Sequence, residues 1–257
     1  MFDVIVRNGI VVDGTGNPWY KADVAIEGER IAKVGGLDSS EAERSLDVAG
    51  LVLCPGFIDI HTHSDYIPPA YPMAESMVRQ GVTTNVVGNC GISVAPFNES
   101  IRSEILVHDA SIPGLRFDWN SIGEYLDWLH SHGTAINVAT LVGHHRVRAC
   151  VIGYADRSPR EEELDEMKRL VAQAMEDGAF GMSTGLKYTP GFYSKTDEVI
   201  ELCKVVAKYG GIYATHIRDE GEGLCGGGGA DLILSLREAI EIGEKAGLSV
   251  EISHHKA

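Results

Sequence analysis

The chain opens with three short β-branched runs, DVIVRNGIVVDG, ADVAIEGERIAKVG and RSLDVAGLVLCPG. Asn-Gly, Gly-Glu and Ala-Gly turn signals separate them. This pattern predicts a meander of antiparallel strands, a small β-sandwich portion over residues 1–56. After Pro55-Gly56 the rhythm changes, and apolar runs alternate with helical segments. FIDIHT is followed by AESMVRQG, TTNVVGNCG by SIGEYLDWLHSHG, and AINVATLVGHH by PREEELDEMKRLVAQAMEDG. AFGMSTGL precedes TDEVIELCKVVAKYG, GIYATHI precedes ADLILSLREAIEIGEKAG, and LSVEISHH is a sixth strand. Pro159 and a run of acids mark one helix start, while a Thr196 cap and a glycine exit frame the next. In the last helix Leu232, Leu236, Ala239, Ile240 and Ala246 recur at three- and four-residue steps, predicting one apolar face.

Strand–helix repetition implies an α/β fold with a parallel sheet and helices outside it. The choice lies between a closed (β/α)8 TIM-type barrel and an open, doubly wound sheet. A full barrel takes about 250 residues. Residues 57–257 supply six strands, so the expectation is a barrel truncated after about six strands, incomplete at the C-terminus.

In a parallel barrel, chemistry gathers at the C-terminal strand ends. There the sequence places His61 and His63, then Asn89 and Cys90, then His144 and His145. Ser183, Thr184 and Tyr188 follow, then His216 with Arg218, and last His254, His255 and Lys256. Seven of the ten histidines fall at this edge. His61 and His63, two apart on a strand, share a face and can grip one ion, though strand histidines are also commonly satisfied by hydrogen bonds. His216 and His254 add two imidazoles at matching depth, and Cys90 a thiolate, a favoured ligand for zinc. Cys90 could equally be a small buried apolar residue, which is the expectation for Cys54, Cys150 and Cys203. Four histidines and an anionic ligand together suit a zinc hydrolase, with metal binding that weakens in acid.

Composition narrows the setting. With 44% hydrophobic and 23% charged residues a substantial core is expected. The net charge of -15 argues against nucleic acid as a partner. No apolar stretch is long enough to span a membrane, so no membrane is expected, and no signal peptide is indicated. Five scattered cysteines, without Cys-x-x-Cys spacing, point to a reducing, cytoplasmic location.

PGFIDIHTHSD, GVTTNVVGNCGISVAP, FGMSTGLKYTPG, YATHIRDEGEG and VEISHHK together resemble the amidohydrolase superfamily, and within it the N-acyl-D-amino-acid deacylases (D-aminoacylases). The likeness covers essentially the whole chain. GNCG is its most discriminating piece, because many superfamily members bridge their metals with a carboxylated lysine and this branch with cysteine. The resemblance implies an amidohydrolase-type barrel and zinc as cofactor, one ion tightly bound with a possible second, weaker site. It implies that His61 and His63 hold one site and His216 and His254 the other, with Cys90 bridging or completing them. Tyr188 matches a substrate-binding tyrosine, and Lys256 a lysine that contacts the α-carboxylate. His144 is a candidate for carbonyl or water contact. The implied partner is a small-molecule substrate, an N-acyl-D-amino acid, hydrolysed to a carboxylate and a free D-amino acid.

Departures from the family pattern are specific. Family members are roughly twice as long, and their catalytic aspartate follows strand eight, so the catalytic acid is expected beyond this chain. GLCGGGGADLI, with Gly226–Gly229, lengthens the fifth strand–helix loop. Gly221 to Gly226 satisfies G-x-G-x-x-G, but Arg218, Asp219 and Glu220 separate it from the strand, and a loop is the better reading than a nucleotide site. Two alternatives remain: a hydantoinase- or dihydroorotase-like cyclic-amide hydrolase, which Cys90 disfavours, and a catalytically incomplete metal-binding fragment.

Overall fold

Strand β1 (Phe2–Val11) runs straight through the Asn8-Gly9 pair that the sequence marks as a turn. Its register on β2 (Tyr20–Glu27) shifts between Val6 and Gly9, and Asn8 takes φ 62°. The pair is therefore a bulge inside a strand, a place where asparagine tolerates left-handed backbone. Asp23 holds it: the Asn8 N–H donates to Asp23 Oδ1 (2.8 Å) and the Leu37 N–H to Oδ2 (3.0 Å). The two-residue Gly28-Glu29 connection does turn the chain, antiparallel, into β3 (Arg30–Gly35). β4 (Ala42–Asp47) and β5 (Val52–Leu53) then pair with β1 in parallel, so the sheet is mixed, in the order β3-β2-β1-β4 with β5 also on β1. The expected all-antiparallel meander is corrected here. Alternation of apolar residues marks strands, and it carries no information on which neighbour each will choose. Ile5, Ala25 and Leu37 form the core of this part. Cys54, expected inside, is exposed.

The computed structural model describes residues 1–37, 40–99, 101–103, 118–221 and 230–255. The chain divides into two units, Met1–Phe57 and Ile58–Ala257. In the second, β6 (Phe57–Asp59), β7 (Val82–Val87), β8 (Asn137–Gly143), β9 (Gly181–Gly185), β10 (Ile212–His216) and β11 (Val250–Ile252) form one sheet, in strict chain order. The pairs from β7 to β11 are parallel. A doubly wound sheet reverses its strand order at a switch point. This one never reverses, which is the winding of a barrel.

The intervening helices follow their local signals in most places. After the one-turn helices α1 (Ile67–Ala70) and α2 (Glu75–Val78), helix α3 (Ile122–His132) starts with a Ser121–Glu124 capping box. Helix α4 (His144–Ile152) begins directly at the end of β8. Helix α5 (Glu161–Glu176) carries three acids in its first turn, favourable at the positive end of the helix dipole. Helix α6 (Thr196–Lys208) departs from expectation, because its N-cap is Lys195 and Thr196 lies inside the first turn. The Thr196 hydroxyl instead donates to Glu238 Oε1 (2.9 Å) on helix α7 (Ala230–Ala246). Helix α7 keeps most of the expected face, with Ala239 and Ala246 buried and Leu232 and Leu236 half-buried, but Ile240 is 52% exposed, and Ser235 and Ile242 are buried in addition. Ser235 is drawn in because its hydroxyl accepts the Asp219 N–H (3.0 Å). Trp119, Tyr125, Met167, Met182, Leu202 and Tyr213 centre the core. A fully buried large apolar side chain contributes roughly 1.5–3 kcal/mol.

Candidate metal centre

Three imidazoles surround the Cys90 sulfur. Sγ lies 3.5 Å from His61 Nε2, 3.7 Å from His216 Nδ1 and 3.6 Å from His254 Nε2. Each residue reaches the point from a different strand end. Ladder pairing in β6 stops at Asp59, whose Oδ1 accepts the His61 N–H (3.2 Å), so His61 and His63 sit on the following loop rather than on the strand. His216 closes β10, and His254 follows β11 with φ 37°.

Cys90 stands on a tight turn beyond β7, at φ 53°. Side chains rarely adopt this region, and their occurrence there marks a backbone held by its surroundings. Ser183 of β9 spans the turn, its hydroxyl donating to the Gly88 carbonyl and accepting the Gly91 N–H (2.9 Å). Asp65 Oδ1 accepts the Gly88 N–H (2.8 Å), and the Gly91 carbonyl accepts the His145 N–H (3.0 Å). Burial raises the Asp65 carboxyl to about 7, against the pull of that Gly88 bond. Two glycines let the strands close up. A Cβ at Gly88 (φ 81°) would meet the Leu141 carbonyl oxygen at 2.1 Å, and one at Gly185 the Cys90 carbonyl oxygen at 2.3 Å.

The electrostatics favour neutral imidazoles. Burial first, then His254 and His63, hold His61 down at about 4. Burial and His254 lower His63 too. Unprotonated ring nitrogens are what a metal needs. A tetrahedral zinc with sulfur at about 2.3 Å and nitrogen at about 2.0 Å separates those atoms by about 3.5 Å. The observed sulfur–nitrogen spacings match that edge, and the His61 Nδ1 is buried without a hydrogen-bond partner. The residues present fit a zinc-sized ion.

Sequence reasoning did not single out Glu220. Its carboxylate meets His254 Nδ1 at 2.9 Å and His216 Nε2 at 3.6 Å, and His216, Glu220 and His254 form a second group of potential ligands. The only trace in the sequence is its place four residues after His216, just past a strand end.

His63, Cys90, Ile92, Tyr188, His216 and His254 line an open cleft of about 450 Å³. Tyr188 is 46% exposed, and its ring stands edge-on to His216 at 4.8 Å between centroids. His144 is not brought to this cleft. It is the first residue of α4, fully buried, with Nε2 2.9 Å from Glu198 Oε1. Arg148 NH1 donates to the other Glu198 oxygen (2.6 Å). Burial pushes the Glu198 carboxyl up, but His144 and Arg148 outweigh it and leave it below its ordinary range. His145, next to His144 and held at about 3 by burial and then by His144, donates from Nε2 to the Gly185 carbonyl (2.9 Å) beneath the Cys90 turn. Lys256, Cys225 and the Gly226–Gly229 loop lie outside the described residues.

A family model described as the amidohydrolase family matches residues 44–253. A D-aminoacylase from Alcaligenes xylosoxydans xylosoxydans is 40% identical over 256 residues, which are 99% of this chain and 51% of that protein. A crystal structure of a D-aminoacylase superposes with a TM-score of 0.88 at 40% identity, covering all of this chain and 52% of that one. An N-acyl-D-glutamate deacylase from Bordetella bronchiseptica, solved with zinc and a phosphonate mimic of the tetrahedral intermediate, also gives 0.88, at 32% identity over 99% of this chain and 52% of its own. The chain spans about half the length of the curated relatives it matches.

Proposed function

The chain belongs to the amidohydrolase family, and on that premise we propose that it serves metal-dependent hydrolysis of the amide bond of N-acyl-D-amino acids. The observation that carries this reading is the convergence of three imidazole nitrogens on one cysteine sulfur at 3.5–3.7 Å. Cys90, His216 and His254 would hold the tight zinc, with His61 and His63 forming a second, weaker site around the same sulfur. The ion, when bound, supplies Lewis acidity, polarising a carbonyl and acidifying water.

The remaining work belongs to side chains. Cys90, its turn held by Ser183 and Asp65, would present its sulfur to the ion. Tyr188 borders the cleft beside His216 and is suited to contact the acyl or amide group. Lys256, two residues past His254, is assigned the substrate's α-carboxylate, for which a cationic donor is a strong partner. His144, locked to Glu198, is better suited to holding α4 against α6 than to touching substrate. In the reaction water adds to the acyl carbon, the carbon–nitrogen bond breaks, and the nitrogen leaves with the proton as a free D-amino acid. Among the described residues four cysteines are free, which suits a reducing, cytoplasmic setting. Among the described residues no helix is long and apolar enough to cross a membrane.

The test is turnover of N-acetyl-D- against N-acetyl-L-amino acids by the zinc-loaded full-length protein, followed as released amine. D-selective release is expected, and Cys90→Ala should abolish it. Equal or absent turnover of both series, or activity confined to hydantoins, overturns the reading.

A further inference from the structure

We propose that Glu220 is the positioning residue of this centre, a single carboxylate that orients two of its histidines at once. The inference rests on the metal reading above. Glu220 Oε1 stands 2.9 Å from His254 Nδ1, and Oε2 stands 3.6 Å from His216 Nε2. On both rings the opposite nitrogen is the one that faces Cys90 Sγ, His254 through Nε2 and His216 through Nδ1. An ionised carboxylate only accepts hydrogen bonds, so its contact with His254 places the ring proton on Nδ1. That leaves the Nε2 lone pair directed at the sulfur side, where a metal would take it. The nearer oxygen pulls His254 hardest, and the farther one biases His216 in the same sense by charge.

Burial and a cation keep the carboxylate where it is. Its side chain is 6% exposed, and Lys187 Nζ approaches Oε2 at 3.8 Å. The need for such a brace is visible in the backbone. His254 adopts φ 37° beyond the short strand β11, so strand pairing does not fix its ring. An outer carboxylate on a ligating histidine fixes tautomer and orientation, and its removal lowers metal affinity by about 10- to 100-fold.

The experiment is cobalt(II) titration of the metal-stripped protein, read by the thiolate-to-cobalt absorption of Cys90, for the unmutated protein, Glu220→Ala and Glu220→Gln. Glu220→Ala should bind cobalt about 10- to 100-fold more weakly and still reach the full thiolate band at saturation. Glu220→Gln keeps an oxygen acceptor for the His254 Nδ1 proton and should restore most of the affinity. Unchanged affinity in Glu220→Ala overturns the proposal. So does a Glu220→Gln as weak as Glu220→Ala, which would show that an acceptor for the His254 Nδ1 proton is not what matters, or a changed ligand-field spectrum at saturation, which would make Glu220 a ligand in its own right. Failure of the unmutated protein to bind cobalt would sink the metal reading instead. Should the variants not fold by circular dichroism, nitrogen-15 spectra of the unmutated metal-free protein decide. They should show His254 protonated at Nδ1, and the Nε2 tautomer would refute the assignment.

Discussion

At Cys90 a residue with a side chain occupies backbone space that favours glycine, and the cost is met by neighbours that grip both ends of the turn. Ser183 is the tightest of these, since one hydroxyl serves the Gly88 carbonyl and the Gly91 N–H. Ser183→Ala would leave both groups buried without that partner, at about 1–3 kcal/mol for each. We expect a lower melting temperature by calorimetry and a weaker cobalt complex, with the larger effect on cobalt; a variant unchanged in both would show that the turn is held elsewhere. Residue chemistry was partly legible in the sequence. Cys90, His216 and His254 stand out because metal-binding residue types recur at strand ends. Glu220 does not, because a glutamate gains meaning only once the ring nitrogens it faces are known. His144 misleads for a related reason. A strand end and a helix start look alike in GHH, and the first helical turn carries this histidine away from the cleft to Glu198.

Between elements, the Arg218–Glu238 ion pair differs from those on the surface. Arg218 grips Glu238 of α7 through two bonds, at 3.0 and 2.8 Å, and also donates to the carbonyls of Phe192 and Ser194. Thr196 at the start of α6 joins the same carboxylate. The cluster ties the loop after β10 to two helices, and its side chains are 25% and 13% exposed. Charged hydrogen bonds of this kind are worth roughly 1.5–3 kcal/mol. Arg169 and Glu166, 61% and 44% exposed on one helix, form a pair worth about 0.5 kcal/mol or less. Urea unfolding should therefore show Glu238→Ala destabilised by about 2 kcal/mol and Glu166→Ala close to neutral. Equal losses would mean that burial does not separate the two. The same cluster explains where sequence reading of the elements failed. Thr196 has the composition of a cap, but Glu238 takes its hydroxyl, and Ser235 rather than Ile240 faces inward because Asp219 needs a partner. The existence of helices and strands follows from local periodicity. Helix phase and strand partners depend on contacts distant in sequence, as the bulge at Asn8 shows.

For the molecule as a whole, a parallel sheet in the order β6 to β11 has two outer strands. Ile58 in β6 and Ile60 just after it are 62% and 59% exposed, an apolar edge of the kind that pairs with other chains. The chain by itself should associate as its concentration rises, despite a net charge of -15, and Ile58→Lys should suppress this. Light scattering across a dilution series checks it, and a monomer throughout the series would contradict it. The sequence separations within the cluster have a different consequence. Cys90 meets His61 across 29 positions, His216 across 126 and His254 across 164. Bringing positions so distant together carries a loop-closure cost that local contacts do not. The centre is complete only when β6, β7, β10 and β11 have all taken their places, so metal capture should report the finished sheet rather than any one strand.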